Sequence, residues 1–325
     1  MAITLDGSLG ITSPTYGGAT TAEYSVPVTA FKNRIINGAM VIDQRNASSN
    51  VGGYSCLDRW YFNYIGTGIT ASQTTATLNG VVVNVLQIAG AAGNTGQNFN
   101  QKIEAKNSYD LVGQNVSVSF WCYQTTGGTF SLQTNLSYAN SADNFSSITP
   151  IGTANTTSIP NATWTYVSFT VSSLPLGVAN GLQLIVFANS PTLTSGVFQF
   201  AFVQIEKGST ATSFDYRPYG TELALCQRYF WTWTGGSYVR YAIGYNDTTT
   251  STQFCGYLPT SMRTTPSVTA MTNFTSNGTA ITIATIASNS NQFSLGATGT
   301  ALLVGASQIY VAAGTTAVLS LSAEL

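Results

Sequence analysis

Residues 198–220 read FQFAFVQIEKGSTATSFDYRPYG, an alternating apolar run that changes into a polar loop and then into a cluster of aromatic rings. In the first half, apolar side chains recur at every second position, which is the pattern of a β-strand with one face in a core. Glycine, serine and threonine in the middle are typical of a turn. The stretch is therefore predicted to hold the last strand of one β domain and the boundary with the next.

The aromatic rings at the end of this stretch lie beside two charged residues, Asp215 and Arg217. They allow two interpretations, a sugar-binding rim or a packed corner of the fold. We favour the corner, in which Phe214, Tyr216 and Pro218 pack the chain back against the preceding strands. Arg217 is then expected to find an acidic partner, because an unpaired buried charge is costly.

Upstream of this stretch, short β patterns separated by turn residues continue back to about residue 31. Each carries Val, Ile, Phe or Tyr at period two. The clearest are VVVNVLQIAG (81–90), NVSVSFWCYQ (115–124), FSLQTNLSYA (130–139), WTYVSFTVSS (164–173) and GLQLIVFANS (181–190). Seven or eight such strands predict two facing antiparallel sheets, a jelly-roll β-sandwich over 31–220.

The two ends of the chain have different patterns. Residues 221–231 predict a short helix capped by Thr221, with Leu223, Leu225 and Cys226 on its inner side. Strand patterns then resume, so 221–325 is predicted to be a smaller C-terminal β domain. Residues 1–30 lack a long core run and predict an extended arm, in which ITLDGSLGIT forms a small hairpin. The predicted fold class is all-β.

Charge is scarce in this protein and excludes several partners. Only 7% of the 325 residues are charged, and 11 basic against 12 acidic side chains give a net charge of -1. No basic field is present to hold nucleic acid or an anionic membrane. With no apolar run of about 18 residues and no signal-peptide pattern, the chain is expected to fold in the cytoplasm where it is made.

Four cysteines stand far apart in the sequence, without a CxxC pair. This spacing lacks the usual metal and redox motifs. We expect reduced and mostly buried thiols, since the cytoplasm disfavours disulfides. The cysteines are Cys56, Cys122, Cys226 and Cys255.

The residues that most enzymes use are missing or scattered. The sequence contains no histidine, which removes the commonest general base and nearly every catalytic zinc site. A pair of carboxylates is the remaining option, as in glycoside hydrolysis, although nothing in the sequence pairs them and most are better explained as turn residues or arginine partners. The candidates by residue type are Asp58, Asp110, Asp143, Glu104, Glu206, Asp215 and Glu222. No cofactor is predicted, and a structural calcium site built from Asp, Asn and carbonyl oxygens stays open and unassigned.

Aromatic residues are the remaining candidates for ligand binding. A sugar ring stacks one apolar face on Trp or Tyr and pairs its hydroxyls with amides, so a β surface rich in Tyr, Asn and Gln suits glycans. Three tryptophans within strand patterns, Trp60, Trp121 and Trp164, are expected in the core. Three rings at the entry to the second domain, Tyr229, Trp231 and Trp233, are the predicted ligand-binding residues.

Several motifs in order resemble a family of bacteriophage tail-fibre and virion appendage proteins that carry a carbohydrate-binding-module-like jelly roll. They are NRIINGAMVIDQRN (33–46), CLDRWYF (56–62), WTYVS (164–168), QIEKGSTATSFDYRPY (204–219), ELALCQRYF (222–230), the segment 259–268, and the terminal LSAEL. The resemblance implies strands at the first four motifs, no enzymatic activity, and three-fold assembly on a virion. It also implies that residues 1–30 attach to another virion protein, and it transfers no binding residues.

Within these motifs, Asp58, Arg59, Trp60 and Arg217 are predicted to be structural. Asp58 is expected to form a shielded ion pair with Arg34, Arg59 or Arg217. Trp60 is expected to lie beneath that pair.

Three functions are compatible with this sequence. The first is a non-enzymatic tail fibre or similar virion appendage that displays a β domain toward host-surface glycans, as a homotrimer because multivalency raises avidity. The second is a purely structural capsid decoration, head fibre or tail adaptor. The third is a polysaccharide depolymerase, which the scarcity of acids and the lack of long parallel coils disfavour.

Overall fold

The computed structural model describes residues 4–6, 10–12, 31–46, 48–187, 190–288 and 292–325. The chain divides into two units, Met1–Lys32 and Asn33–Leu325. In the first unit, β1 (Thr4–Asp6) pairs antiparallel with β2 (Gly10–Thr12), which confirms the predicted hairpin. The rest of the predicted arm, and its proposed attachment role, lies outside the described residues.

A two-layer sandwich forms the first part of the second unit, which confirms the all-β prediction. One sheet has the order β10-β8-β12-β6-β3 with β9 beside β8, and the other has the order β11-β7-β13-β5-β4. The strands are β3 (Tyr61–Gly66), β4 (Thr70–Leu78), β5 (Val81–Ala89), β6 (Asn94–Ile103), β7 (Val116–Gln124), β8 (Phe130–Ser141), β9 (Asn144–Pro150), β10 (Asn155–Ile159), β11 (Thr165–Val171), β12 (Leu182–Val186) and β13 (Val197–Lys207). Short 3-10 turns occupy Ala105–Asn107, Tyr109–Leu111 and Leu176–Asn180.

The sandwich core follows from side-chain alternation. In β13, Phe198 and Phe200 point inward, and after an irregularity between Ala201 and Gln204 the inward positions become Val203 and Ile205. The extra residue of this bulge shifts the alternation by one position. Inward side chains therefore have even numbers before the bulge and odd numbers after it, and the strand keeps one face in the core. Residues 198–220 therefore begin, as predicted, within the last strand of the sandwich.

The NRIINGAMVIDQRN segment is an irregular loop, so the strand implied by the resemblance is wrong here. Side-chain hydrogen bonds replace a sheet ladder. The Asn33 side chain donates to the Val203 carbonyl (3.1 Å) and accepts from the Ile205 amide (3.1 Å). The Asn37 side chain donates to the Ile42 carbonyl (2.7 Å) and accepts from its amide (3.0 Å). The DRW motif likewise precedes a strand, since β3 begins at Tyr61.

The helix after the sandwich, α1, spans Tyr219–Gln227 and begins after Pro218, so Thr221 is not its cap. Its buried side chains are Glu222 and Cys226, whereas the leucines predicted on its inner side are half-exposed. The prediction was right for Cys226 and wrong for the two leucines, because Glu222 takes an inward position through its ion pair with Arg217 (3.1 Å). That pair confirms the acidic partner expected for Arg217.

The remaining strands form a three-stranded sheet, β14-β22-β17, and a closed barrel, β15-β16-β20-β19-β18-β21. They are β14 (Phe230–Gly235), β15 (Arg240–Asn246), β16 (Ser251–Tyr257), β17 (Ser267–Thr272), β18 (Phe274–Ser276), β19 (Thr279–Ser288), β20 (Gln292–Gly299), β21 (Gly305–Val311) and β22 (Ala317–Ser322). Residues 33–325 hold two core clusters, one within 35–205 and one within 231–323. The predicted division at residues 220 and 221 stays a prediction.

Two further observations complete the fold. No helix among the described residues is long and apolar enough to cross a membrane.

Cys56, Cys122 and Cys226 are buried, as predicted for most of the cysteines, and Cys255 is exposed. Burial raises the pKa of Cys56 to about 11 and that of Cys122 to about 12, which keeps both thiols protonated and unreactive at neutral pH.

Candidate functional site

Two of the residues predicted as structural, Asp58 and Arg59, each form a buried ion pair. Asp58 pairs with Arg45 (2.8 Å) and with none of Arg34, Arg59 or Arg217, so the predicted partners are wrong. The reason is the loop at 33–46, which folds back so that the Gln44 amide also donates to Asp58 (2.6 Å).

The other predicted partners of Asp58 are engaged elsewhere. Arg34 pairs with Asp110 (2.7 Å) and Arg217 pairs with Glu222. Arg59 pairs with Glu324, and its guanidinium carbon lies 3.5 Å from the centre of the Tyr229 ring. Burial alone would lower the pKa of Arg59, but the negative charge of Glu324 raises it above its ordinary value.

Trp60 is buried in the sandwich core, as expected, and its ring lies edge-on to Phe99. Its indole N–H donates to the Asn37 carbonyl (3.2 Å). Trp121 and Trp164 are not in the core, contrary to expectation. They are half-exposed on the outer face of their sheet, next to Tyr166 and Tyr123 respectively.

The three predicted ligand-binding rings are occupied in packing. Tyr229 is buried beneath Arg59, and Trp231 is buried in the second core cluster. Trp233 is half-buried, with its ring 4.7 Å from that of Tyr241 and 5.7 Å from that of Phe274. A sugar cannot stack on the covered rings of Tyr229 and Trp231, whereas the ligand role of the half-buried Trp233 stays a prediction.

The aromatic rings at the end of residues 198–220 form only in part the packed corner that the sequence predicted. The rings of Phe202, Phe214 and Tyr216 lie within 5.5 Å of one another, which fits the expected packing against the sandwich. Tyr216 and Tyr219 are nevertheless mostly exposed. Together with valines of β5 they line an apolar groove of about 300 Å³ whose polar base is the Arg217–Glu222 pair.

All seven candidate catalytic acids accept hydrogen bonds or form ion pairs within the chain, and these interactions explain their positions. Three pair with arginines, as already described for Asp58, Asp110 and Glu222, and Glu104 pairs with Arg228 (2.9 Å). The others accept backbone amides: Asp143 from Ala105, Glu206 from Thr212, and Asp215 from Asn33. Among the residues described by the structure, no three Asp, Glu or Cys side chains cluster to hold a metal ion.

The strongest candidate site is the outer face of the sheet that contains β3, β6, β12 and β8. Because Phe99, Gln101 and Ile103 of β6 point inward, the alternate residues Asn98, Asn100 and Lys102 point outward. The strand register places Tyr61, Asn100, Ile185 and Asn135 in one row across the sheet. Lys102, Gln183 and Ser137 form the next row. We call this surface the amide face.

Three polar atoms on the amide face are buried without a hydrogen-bond partner among the described residues. They are Asn100 Oδ1, Gln183 Oε1 and Ser137 Oγ. Gln183 lies directly opposite Ser137, and Asn100 lies in the neighbouring row. Buried polar groups are nearly always satisfied by protein, water or a ligand, so these three neighbouring atoms are candidates for hydrogen bonds to water or to a ligand hydroxyl.

The edge of the amide face is aromatic. Lys102 Nζ lies 4.8 Å from the centre of the Tyr61 ring and donates to the Leu325 carbonyl (2.7 Å). Burial, followed by the nearby positive charge of Arg59, lowers the pKa of Lys102. Phe145 of β9 flanks the same ammonium group at 5.6 Å. The site therefore combines the half-buried rings of Tyr61 and Phe145 with amide side chains. Its ammonium group, on Lys102, is already hydrogen-bonded within the chain.

Sequence reasoning did not find the amide face. The signal was present in NTGQNFNQKI (94–103), where amides and apolar residues alternate around Phe99. That alternation assigns the amides to one face, but only the pairing of distant strands shows that Asn100, Gln183 and Ser137 come together.

No protein-family model matches the chain, and no curated protein sequence is similar to it, so the resemblance to phage appendage proteins stays a prediction. Several solved structures are similar to about half of the chain. The structure described as "CBM4 structure and function" is 17% identical, with 53% of this chain and 98% of that one covered and a TM-score of 0.36. A putative sugar binding protein from Bacteroides thetaiotaomicron is 12% identical, with 54% and 100% covered and a TM-score of 0.37. The CBM22-1 xylan-binding domain from Paenibacillus barcinonensis Xyn10C is 16% identical, with 50% and 93% covered and a TM-score of 0.30.

Proposed function

We propose that the protein binds glycans on the amide face. The observation that carries this proposal is the set of three buried, unpartnered oxygens on Asn100, Gln183 and Ser137. Sugar hydroxyls donate and accept, so a glycan can satisfy all three once neighbouring side chains move aside to uncover these buried atoms, and Tyr61 supplies a ring at the edge for stacking. Because the one cation of these rows, Lys102, is already bonded to Leu325, neutral glycans fit better than acidic ones.

Binding to an array of neutral oligosaccharides and bacterial surface polysaccharides tests this proposal. Gln183→Leu removes an unpartnered oxygen at nearly constant volume, so we expect it to weaken binding of the best array ligand by about tenfold. Its unfolding free energy should stay within about 0.5 kcal/mol of the original or rise, because no internal hydrogen bond is lost.

Gln101→Leu is the matched control, since Gln101 lies on the inner face of the sheet. Its amide donates to the Ile36 carbonyl (2.8 Å) and accepts from the Ile36 amide (2.7 Å). We expect a loss of about 2 kcal/mol in stability with unchanged glycan affinity. No binding by the original protein, or equal weakening by both variants, would contradict the amide face as the site.

We further propose that the protein is part of a virion appendage of the tail-fibre type, that it has no enzymatic activity, and that glycan binding is its role there. The support is the ordered set of motifs from 33–46 to 321–325 that resembles phage appendage proteins. Immunogold labelling of phage particles tests the location: label on fibres or the tail tip supports the appendage, and label on the capsid favours a decoration or head-fibre role. Release of oligosaccharide by the purified protein would instead indicate a depolymerase.

A further inference from the structure

The barrel exposes an apolar face that glycan binding does not use. On β15 the outward residues are Ile243 and Tyr245, and on the neighbouring β16 they are Cys255 and Tyr257. Leu303 and Val304 are exposed beside this face, because they precede β21, whose Gly305 pairs with Asn246 at the end of β15. We call these six residues the barrel patch.

The barrel patch is large enough to matter energetically. Ile243 is 79% exposed, and Tyr257 and Leu303 are each 77% exposed. Its two tyrosines can each bury roughly 150–250 Å², and apolar patches of about 300–600 Å² are the largest that typical monomers expose. A standard protein interface buries about 800 Å² on each partner, so a dimer built on the patch must also bury the polar residues around it.

The polar neighbours of the barrel patch suit a copy of the same surface. Gln253 pairs with Tyr245 across β15 and β16, and Gln308 pairs with Ile243 across β15 and β21; both glutamines are exposed. An amide both donates and accepts, so two glutamines from identical surfaces can satisfy each other. No charge lies among them that a second copy would leave unpaired.

Charges lie only at the two ends of β15, and they have opposite signs. Arg240 begins the strand, Asp247 follows its last residue, and both are exposed. Neither forms an ion pair with any residue that the structure describes. If two copies meet with their β15 strands antiparallel, each Arg240 faces Asp247 of the other copy, whereas a parallel arrangement would oppose like charges.

We propose that a second copy of this chain docks on the barrel patch, patch against patch, across a two-fold axis near Ile243. This self-complementary arrangement is isologous, so it closes as a dimer and replaces the three-fold assembly that the resemblance implies. Pairing two copies would also join two amide faces in one particle, which raises avidity without new contacts where both faces reach the same surface.

Sedimentation velocity of the full chain at micromolar concentrations tests the association, with a species of twice the chain mass expected. Ile243→Glu should raise the dimer dissociation constant at least about tenfold, since it buries a charge in the interface. Leu176→Glu is the matched control, because Leu176 is equally exposed on the sandwich at 77% and should change nothing. A monomer throughout, or a dimer indifferent to Ile243→Glu, would overturn the proposal.

Charge reversal tests the antiparallel pairing. Arg240→Asp alone and Asp247→Arg alone should each weaken the dimer, and the double variant should recover it because the two ion pairs reform with reversed signs. Failure of the double variant to recover would overturn the proposed orientation.

Cysteine cross-linking tests which surfaces meet. Continuing the register of β15 and β16 places Cys255 beside Ile243, so the axis brings Cys255 opposite its copy. A short bismaleimide should link the dimer through Cys255, the exposed cysteine, and Cys255→Ser should abolish the link. A trimer that does not cross-link at Cys255 would overturn the proposal while leaving glycan binding untouched.

Discussion

At the scale of single residues, Asp58 shows how burial competes with pairing. Its carboxylate accepts from Arg45 and from the Gln44 amide, and both interactions favour the charged form. Burial nevertheless dominates and raises the pKa of Asp58 to about 6 from an ordinary value of 3.8. The charged carboxylate is therefore less stable in the folded protein than in the unfolded chain.

We expect this residue to give the protein a pH dependence of stability. A pKa raised by folding contributes stability that is fully present below about pH 4 and is lost as pH rises through about 6. Between these limits, the unfolding free energy should fall by about 2–3 kcal/mol relative to Asp58→Asn. Urea unfolding of both proteins at pH 4 and pH 7 measures this difference, and a constant offset between them would contradict the raised pKa.

At the scale of elements, the loop at 33–46 is held against β13 by a close backbone approach. The Val203 amide donates to the Gly38 carbonyl (2.9 Å). A Cβ at position 38 would lie only 2.1 Å from the Val203 carbonyl oxygen. Only glycine therefore allows the loop to reach the strand at the bulge, which explains the Asn-Gly pair in the NRIING motif.

Gly38→Ala is accordingly expected to destabilise the protein by about 2–3 kcal/mol, because the loop must move away from β13 to relieve the clash. Gly128→Ala is the matched control, since a Cβ there meets nothing within 4 Å, and its effect should stay within about 0.5 kcal/mol. Thermal or urea unfolding measures both. Equal stabilities of the two variants would show that the loop adapts at no cost.

At the scale of the whole molecule, Glu324 joins the sandwich segment to the end of the chain. It follows β22 and pairs with both Arg45 (3.0 Å) and Arg59. Nearby, the Ala323 amide donates to the Tyr229 carbonyl (2.7 Å) and the Gln44 side chain donates to the Phe230 carbonyl (2.8 Å). Buried charge and main-chain bonds together tie residues 44–59 to 229–324.

Glu324→Gln should therefore destabilise the protein strongly, by about 3–5 kcal/mol, because Arg59 would be left buried without its counter-charge. The control is Asp110→Asn, whose pair with Arg34 is partly exposed and should contribute less than about 1 kcal/mol. Chemical unfolding followed by tryptophan fluorescence measures the two losses. Similar small losses in both variants would contradict the role of Glu324.

Local sequence by itself determined the class of fold and much of its core. Side chains two residues apart share a face of a strand, so the alternation in 198–206 predicted a strand with one face in the core without knowledge of the partner strands. Phe198 and Phe200 occupy that face, whereas Phe202 leaves it at the irregularity after Ala201. The same local reasoning predicted that Trp60 would be buried and that Arg217 would find an acidic partner. It was wrong for Trp121 and Trp164, because period two does not say which of two faces is covered.

Tertiary structure alone decided which residues meet. Arg45 rather than Arg59 pairs with Asp58, because the loop at 33–46 is held by Asn33 and Asn37 in a shape that no periodicity encodes. The amide face likewise depends on the register of β6, β12 and β8, which brings Asn100, Gln183 and Ser137 together from positions far apart in the chain. The physical reason is that alternation is a property of one strand, whereas a site needs several strands in one register.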